Sequence, residues 1–80
     1  MTARNPEYQA KPGQGAFGSR LKEERKRRRF QIMQFASMVG VAPSQITAWE
    51  NRGVMPSLTS AIQVARELDC SLDWLCGLED

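Results

Sequence analysis

The sequence predicts an all-α domain of five short helices, and three observations carry that expectation. From Phe17 onward apolar residues recur at the three- and four-residue spacing of a helix face, and no stretch shows the strict alternation of a half-buried strand. Start and stop residues punctuate the pattern: Ser19, Pro43, Ser57 and Ser71 at openings, Gly40 and Gly77 at ends. With 80 residues, 41% of them hydrophobic and 25% charged, the chain has room for one domain with a small core. Its stability is expected to be marginal unless a partner adds surface.

Residues 1–16 hold Pro6, Pro12, Gly13 and Gly15 among polar residues, with Tyr8 as their one sizeable apolar group. They cannot bury enough surface to fold and are expected to form a flexible arm, leaving residues 17–80 as the domain. The first helix is expected over Ser19–Arg28, capped by Ser19 or Gly18, with its basic end complementing the dipole. Phe17 and Leu21 face inward, with Glu24 or Arg25 beside them. The second, Ile32–Met38, places Phe35, Ala36 and Val39 on one side and stops at Gly40. The third, Pro43–Glu50, opens on a proline, whose missing N–H would be unpaired there anyway, and buries Ile46 and Trp49. Pro56-Ser57 opens the fourth, with Leu58, Ala61, Ile62, Ala65 and Leu68 as its apolar stripe. The fifth opens at Ser71 and carries Leu72, Trp74 and Leu75.

Several function classes are disfavoured. No run approaches the ~18 apolar residues of a membrane span, and the polar Met1–Pro12 stretch does not read as a signal peptide. Two cysteines are too few for a disulfide framework, and with no histidine they complete no zinc site. Cys70 and Cys76 are expected to be buried small hydrophobes. The absence of histidine, of a glycine-rich phosphate loop and of clustered carboxylates leaves no candidate for catalysis, so neither an enzyme nor a cofactor is expected. A cytoplasmic location follows from the same features.

The net charge of +2 is unevenly distributed. Residues 1–52 carry ten Lys or Arg against four acids, a balance of +6; residues 53–80 carry one Arg against five acids, a balance of −4. A basic half joined to an acidic one suggests that one face meets a polyanion and the other something else, although a solvated helix face is the alternative.

Within residues 32–51 the spacing is restrictive. Two helices that cross steeply through a short turn need a small side chain at their closest approach, Ala36, and a turn residue tolerant of positive φ, Gly40. Phe35, Val39, Val41, Ile46 and Trp49 supply the wedge of core between them. This is the pattern of a helix-turn-helix, with an ordinary helical hairpin as the alternative.

From Phe17 to Gly77 the chain resembles the lambda-repressor/Cro-type (XRE) helix-turn-helix family. The resemblance rests on Phe17-Gly18-x-x-Leu21, Arg25, Phe35-Ala36-x-x-Val39-Gly40-Val41, Pro43-Ser44-x-Ile46-Thr47-x-Trp49-Glu50-Asn51, Pro56-Ser57-Leu58 and Ser71-Leu72-Asp73-Trp74-Leu75-x-Gly77. It implies a bacterial or phage transcriptional regulator that binds a near-palindromic operator on double-stranded DNA as a homodimer, with the last helix contributing to the dimer contact.

Carried over residue by residue, the resemblance presents Pro43, Ser44, Gln45, Thr47 and Ala48 to the bases. Gln45 is the best reader, because its amide can pair bidentately with adenine, and the Thr47 methyl suits a thymine methyl. Arg25, Arg29, Gln31, Asn51 and Arg52 are expected along the DNA backbone. Arg25 and Glu50 also match a family ion pair tying the first helix to the third. Leu72, Trp74 and Leu75 are the expected dimer contact, unless they are simply core. Arg4 and Lys11 would reach a minor groove if the arm is more than a tail.

The chain departs from the family at its binding surface. Ile32 replaces a Gln that contacts the backbone, and Pro43 and Ala48 occupy base-reading positions without a side chain able to hydrogen-bond there. Arg29 and Arg52 stand where glycines are common, and both add charge near the phosphate path. Affinity is therefore expected to lean on phosphates, with a steep salt dependence. Ile32, Met33, Met38, Val54 and Met55 are apolar where this fold commonly has polar residues. That set supports a different possibility, a protein-interaction module such as an antitoxin or adaptor with its own protein partner.

Overall fold

The computed structural model describes residues 16–79. The arm expected over residues 1–16, with Arg4 and Lys11, lies outside them except for Ala16. Five helices form: α1 (Ala16–Arg27), α2 (Ile32–Val39), α3 (Pro43–Asn51), α4 (Leu58–Leu68) and α5 (Leu72–Leu75), with no strand among the described residues.

α1 begins earlier than its cap residues suggest, so Gly18 and Ser19 lie inside the helix. Packing overrides the capping preference here. Phe17 is fully buried and meets Trp49 edge-on, 6.5 Å between ring centroids. Gly18 lies against α3 so closely that a Cβ there would stand 2.1 Å from the Trp49 carbonyl oxygen. α1 ends with the Arg29 N–H bonded to the Lys26 carbonyl (3.0 Å) and the Phe30 N–H to the Arg25 carbonyl (3.1 Å). This closure needs a left-handed residue, and Arg29 adopts φ 62°. A side chain there costs about 1–2 kcal/mol relative to the ordinary helical region.

α2 and α3 form as expected and are joined by Gly40, Val41 and Ala42. Gly40 takes φ 86° and donates to the Ala36 carbonyl at 2.8 Å. Ala42 is extended before Pro43, which opens α3. Phe35, Ala36, Val39, Ile46 and Trp49 are buried, as the wedge requires. Phe30, to which the sequence assigned no role, stacks on Phe35 at 6.0 Å.

The Ser57 hydroxyl accepts from the Ser60 N–H at the start of α4, and the Ser71 hydroxyl accepts from the Trp74 N–H at the start of α5. The buried face of α4 follows Ala61, Val64, Ala65 and Leu68. Leu58 and Ile62, expected in that stripe, are 69% and 42% exposed; the helix is turned so that Val64 takes the inward place. α3 lies between α1 and α2, α4 packs on α2, and α5 closes against α1 and α4. Among the described residues no helix is long and apolar enough to cross a membrane.

Candidate nucleic-acid interface

α3 is held from two sides and bare on a third. Its inner face carries Ile46, Ala48 and Trp49, all buried. Its outer face carries Pro43, Ser44, Gln45 and Thr47, all exposed. Ala48 was expected on the outer face and belongs to the inner one, with 6% of its surface exposed. At 100° per residue it follows Thr47 round to the side where the main chain returns, and its carbonyl accepts from the Arg52 N–H (3.0 Å) and the Val54 N–H (3.3 Å).

Gln45 has a structural task that its sequence did not disclose. Its side-chain oxygen accepts from the Ala42 N–H at 3.2 Å, so it caps the helix that it would use to read DNA. Its amide NH2 remains available, whereas bidentate pairing with adenine requires release of the cap. The Thr47 hydroxyl bonds back to the Pro43 carbonyl at 3.3 Å, which satisfies its polar group within the helix and leaves the methyl as its distinctive contact.

The orientation of α3 is set by an ion pair and a close approach. Arg25 Nε donates to Glu50 Oε2 at 2.7 Å and Nη2 to Oε1 at 3.0 Å, while Nη1 donates to the Phe30 carbonyl at 2.7 Å. The two side chains are 8% and 1% exposed, and every nitrogen of the guanidinium has a partner inside the protein. Arg25 therefore serves the interior, not the DNA backbone where it was also expected. A bidentate pair of this kind fixes the angle between α1 and α3, and removing one partner strands a buried charge. Gly18 adds the steric half of the arrangement by allowing the two backbones to meet. Gly18, expected as a cap, lies instead inside the helix, where its place within an apolar helical pattern is the signal for a close approach.

From Phe30 to Trp49 the chain carries no charge, so the outer face of α3 is neutral and the cations stand around it. On one side Lys26 and Arg29 are exposed and, with Phe30, Gln31, Ile32 and Met33, line an open depression at the start of α2. The α2 cap residue, Gln31, offers no side-chain acceptor to the first turn; its own N–H donates to the Gln34 side chain at 3.3 Å. On the other side stand exposed Arg52 and Asn51, the latter accepting from Lys22 Nζ at 3.0 Å. Lys22 was not among the expected contacts; only the packing of α1 on α3 brings it here. Arg27 and Arg28 are partly engaged by Glu24, at 3.0 and 3.3 Å. Burial pushes the Glu24 pKa up, but the hydrogen bonds and charges of Arg27 and Arg28 outweigh it and hold the carboxyl below its ordinary value.

The residues of the expected dimer contact pack against the chain's own core, to different depths. Leu75 is fully buried, and Leu72 and Trp74 are half-buried against the core. The Arg20 guanidinium lies 4.8 Å from the Trp74 ring centroid and bonds the Trp74 and Glu79 carbonyls, so this aromatic is used within the chain. Of the apolar set that suggested a protein partner, Ile32 and Met38 pack on the core, whereas Met33, Val54 and Met55 are exposed. Cys70 and Cys76 are half-buried unpaired thiols packed against the core, and burial pushes both thiols up, with nearby Glu24 and Asp73 adding to it respectively.

A helix-turn-helix family model matches residues 21–75. The chain is 33% identical over 61 residues to an uncharacterized HTH-type transcriptional regulator, YobD, of Bacillus subtilis, covering 76% of this chain and 54% of that protein. It thus spans about half the length of this curated relative. Among solved structures, the P22 c2 repressor in complex with a synthetic operator superposes with a TM-score of 0.74 at 27% identity, covering 79% of this chain and 96% of that one. SinR, the master regulator for biofilm formation, in complex with DNA, superposes with a TM-score of 0.68 at 32% identity, covering 74% and 95%. The fold also occurs inside a larger chain, hydroxypropylphosphonic acid epoxidase from S. wedmorenis, with a TM-score of 0.72 at 29% identity, covering 84% of this chain but 36% of that one.

Proposed function

The chain belongs to the XRE-type helix-turn-helix family, whose fold is that of DNA-binding transcriptional regulators, and from this we propose that it is a sequence-specific, dimeric regulator, a repressor, acting in the cytoplasm. It lays α3 in the major groove of a near-palindromic operator. The observation that carries this reading is the neutral, exposed face of Pro43, Ser44, Gln45 and Thr47 on a helix braced by the Arg25–Glu50 pair and flanked by Lys26, Arg29, Lys22 and Arg52. Neutral groups face base edges, where few hydrogen bonds are read, and the cations take the phosphates on either side. With Ala48 buried and Gln45 engaged as a cap, specificity leans on DNA shape and on Ser44 and Gln45.

The experiment is selection of duplexes from a random pool at two salt concentrations. The expected product is an inverted repeat with half-site centres ~34–36 Å apart and affinity that falls steeply with salt. A pool that yields no enriched sequence overturns the reading. No catalysis belongs to it; the epoxidase match covers about a third of that enzyme's chain.

Met33, 74% exposed beside the start of α2, favours a second reading in which the scaffold binds another protein. Purified chain that stays monomeric, ignores DNA at low salt and captures one specific partner would select it.

A further inference from the structure

Five basic residues follow one another from Arg25 to Arg29, and the fold parts them. Arg25 turns inward to Glu50, while Lys26, Arg27, Arg28 and Arg29 are exposed at the end of α1. Lys26 and Arg29 line the depression at the start of α2, and Arg27 and Arg28 turn from it toward Glu24. Cations therefore flank the corner between α1 and α2 from two sides. At that corner Met33 is 74% exposed, more than any other large apolar side chain among the described residues, with half-buried Phe30 and Ile32 beside it. An apolar tip ringed by cations suits an anionic lipid surface, because the tip enters the boundary between headgroups and acyl chains while the cations meet the headgroup charge.

Charge and size select this occupant. No acid occurs between Arg25 and Trp49. The acids that reach the cations are Glu24, mostly buried and already bonded to Arg27 and Arg28; exposed Glu23, a turn back on α1; and exposed Asp69, which acts with both arginines on the Cys70 thiol. Four exposed cations thus stand against two exposed acids and a buried one, and the corner stays positive. A duplex lying along α3 meets Lys26 and Arg29, whereas Arg27 and Arg28 turn from it and phosphates give Met33 no partner. A protein partner needs more area, since one projecting side chain and two half-buried ones fall far short of the ~800 Å² per partner of a stable interface. A fluid anionic plane needs no such complementary shape. It meets all four cations at once, each worth about fivefold in affinity.

We propose that Met33 and the cations Lys26, Arg27, Arg28 and Arg29 form a docking surface for anionic lipid membranes. Lys26 and Arg29 are shared with the DNA-binding reading above, so on that reading a membrane and a duplex compete for the same chain.

The test is flotation of the full chain with vesicles of phosphatidylglycerol and phosphatidylcholine in equal parts, or of phosphatidylcholine alone. The wild type is expected to bind the anionic vesicles, less so as salt rises, and to ignore the neutral ones. Arg27→Gln, which leaves Arg28 to hold Glu24, weakens vesicle binding about fivefold, and Met33→Gln weakens it by at least about fivefold. Leu78→Gln, whose apolar side chain is exposed elsewhere, behaves as wild type. All three positions are exposed, and helical circular dichroism with the melting temperature checks that each variant folds. A wild type that ignores anionic vesicles at low salt overturns the proposal, as does a folded Met33→Gln that binds them as tightly as the wild type. Soluble poly-glutamate is expected to leave the chain on the vesicles at matched charge; release by it overturns the proposal in favour of an acidic protein partner. Duplexes recovered from the random pool should displace the chain, and a duplex carried up with the vesicles refutes the competition. If no duplex is bound, the DNA-binding reading fails by itself, and the vesicle measurements still decide the lipid surface.

Discussion

Gln45 is the residue at which structure and recognition compete, and two substitutions separate them. Its oxygen caps α3 through the Ala42 N–H, and its NH2 is the strongest base-edge donor on the exposed face. Gln45→Ala removes both. Loss of one neutral cap bond costs about 0.5–1.5 kcal/mol of stability, and each kcal/mol lowers Tm by roughly 4–8 °C in a domain of this size. Loss of a base contact costs about 1–3 kcal/mol of binding, roughly 5- to 150-fold in affinity. Gln45→Glu keeps an acceptor for the Ala42 N–H and puts an anion at the positive end of α3, worth about 0.3–1 kcal/mol. It also removes the donor and faces the phosphates with a negative charge. Stability should therefore hold or rise in the Glu variant while affinity falls at least as far as in the Ala variant. Urea unfolding and competition titration on selected duplexes read the two quantities separately. Equal destabilisation by Glu and Ala would refute the cap, and an unchanged selected motif for Gln45→Ala would refute Gln45 as the reader.

Gly18→Ala drives a Cβ into the Trp49 carbonyl, and since backbone cannot move aside as a side chain can, a loss of about 1–3 kcal/mol or more of unfolding free energy, read by urea denaturation, is expected. Glu50→Ala leaves the Arg25 guanidinium buried with only the Phe30 carbonyl as partner, for a loss of about 3–5 kcal/mol; an unaltered melting temperature would dismiss the pair. Arg29→Gly relieves the left-handed strain and should raise stability by about 1 kcal/mol, while weakening all DNA sequences alike and reducing the salt slope by about one unit. Glu24 has a lowered pKa in the fold, so its contribution is complete above the ordinary carboxylate range and is lost as pH falls through that lowered value. Acid titration of Tm should show a drop that is smaller in Glu24→Gln.

What the sequence by itself determined is the part of the protein built on local spacing. The helix-turn-helix over residues 32–51 was legible because Ala36, Gly40 and Pro43 each meet a steric demand within a few residues of where they stand, and the apolar wedge follows helical periodicity. Pairing of Arg25 with Glu50 was legible only through the family resemblance, since 25 residues separate them. Tertiary structure alone decided which way each face turned. Leu58 and Ile62 read as core by periodicity and lie outside, while Leu72, Trp74 and Leu75 read as a partner surface and lie against the core, because helical spacing names an apolar face without saying what covers it. Gly18 and Lys22 gained their roles from the packing of α1 on α3, and Ala48 lost its role to burial on the inner side of that same helix. In each case the deciding contact joins residues distant in the chain, and no local pattern encodes it.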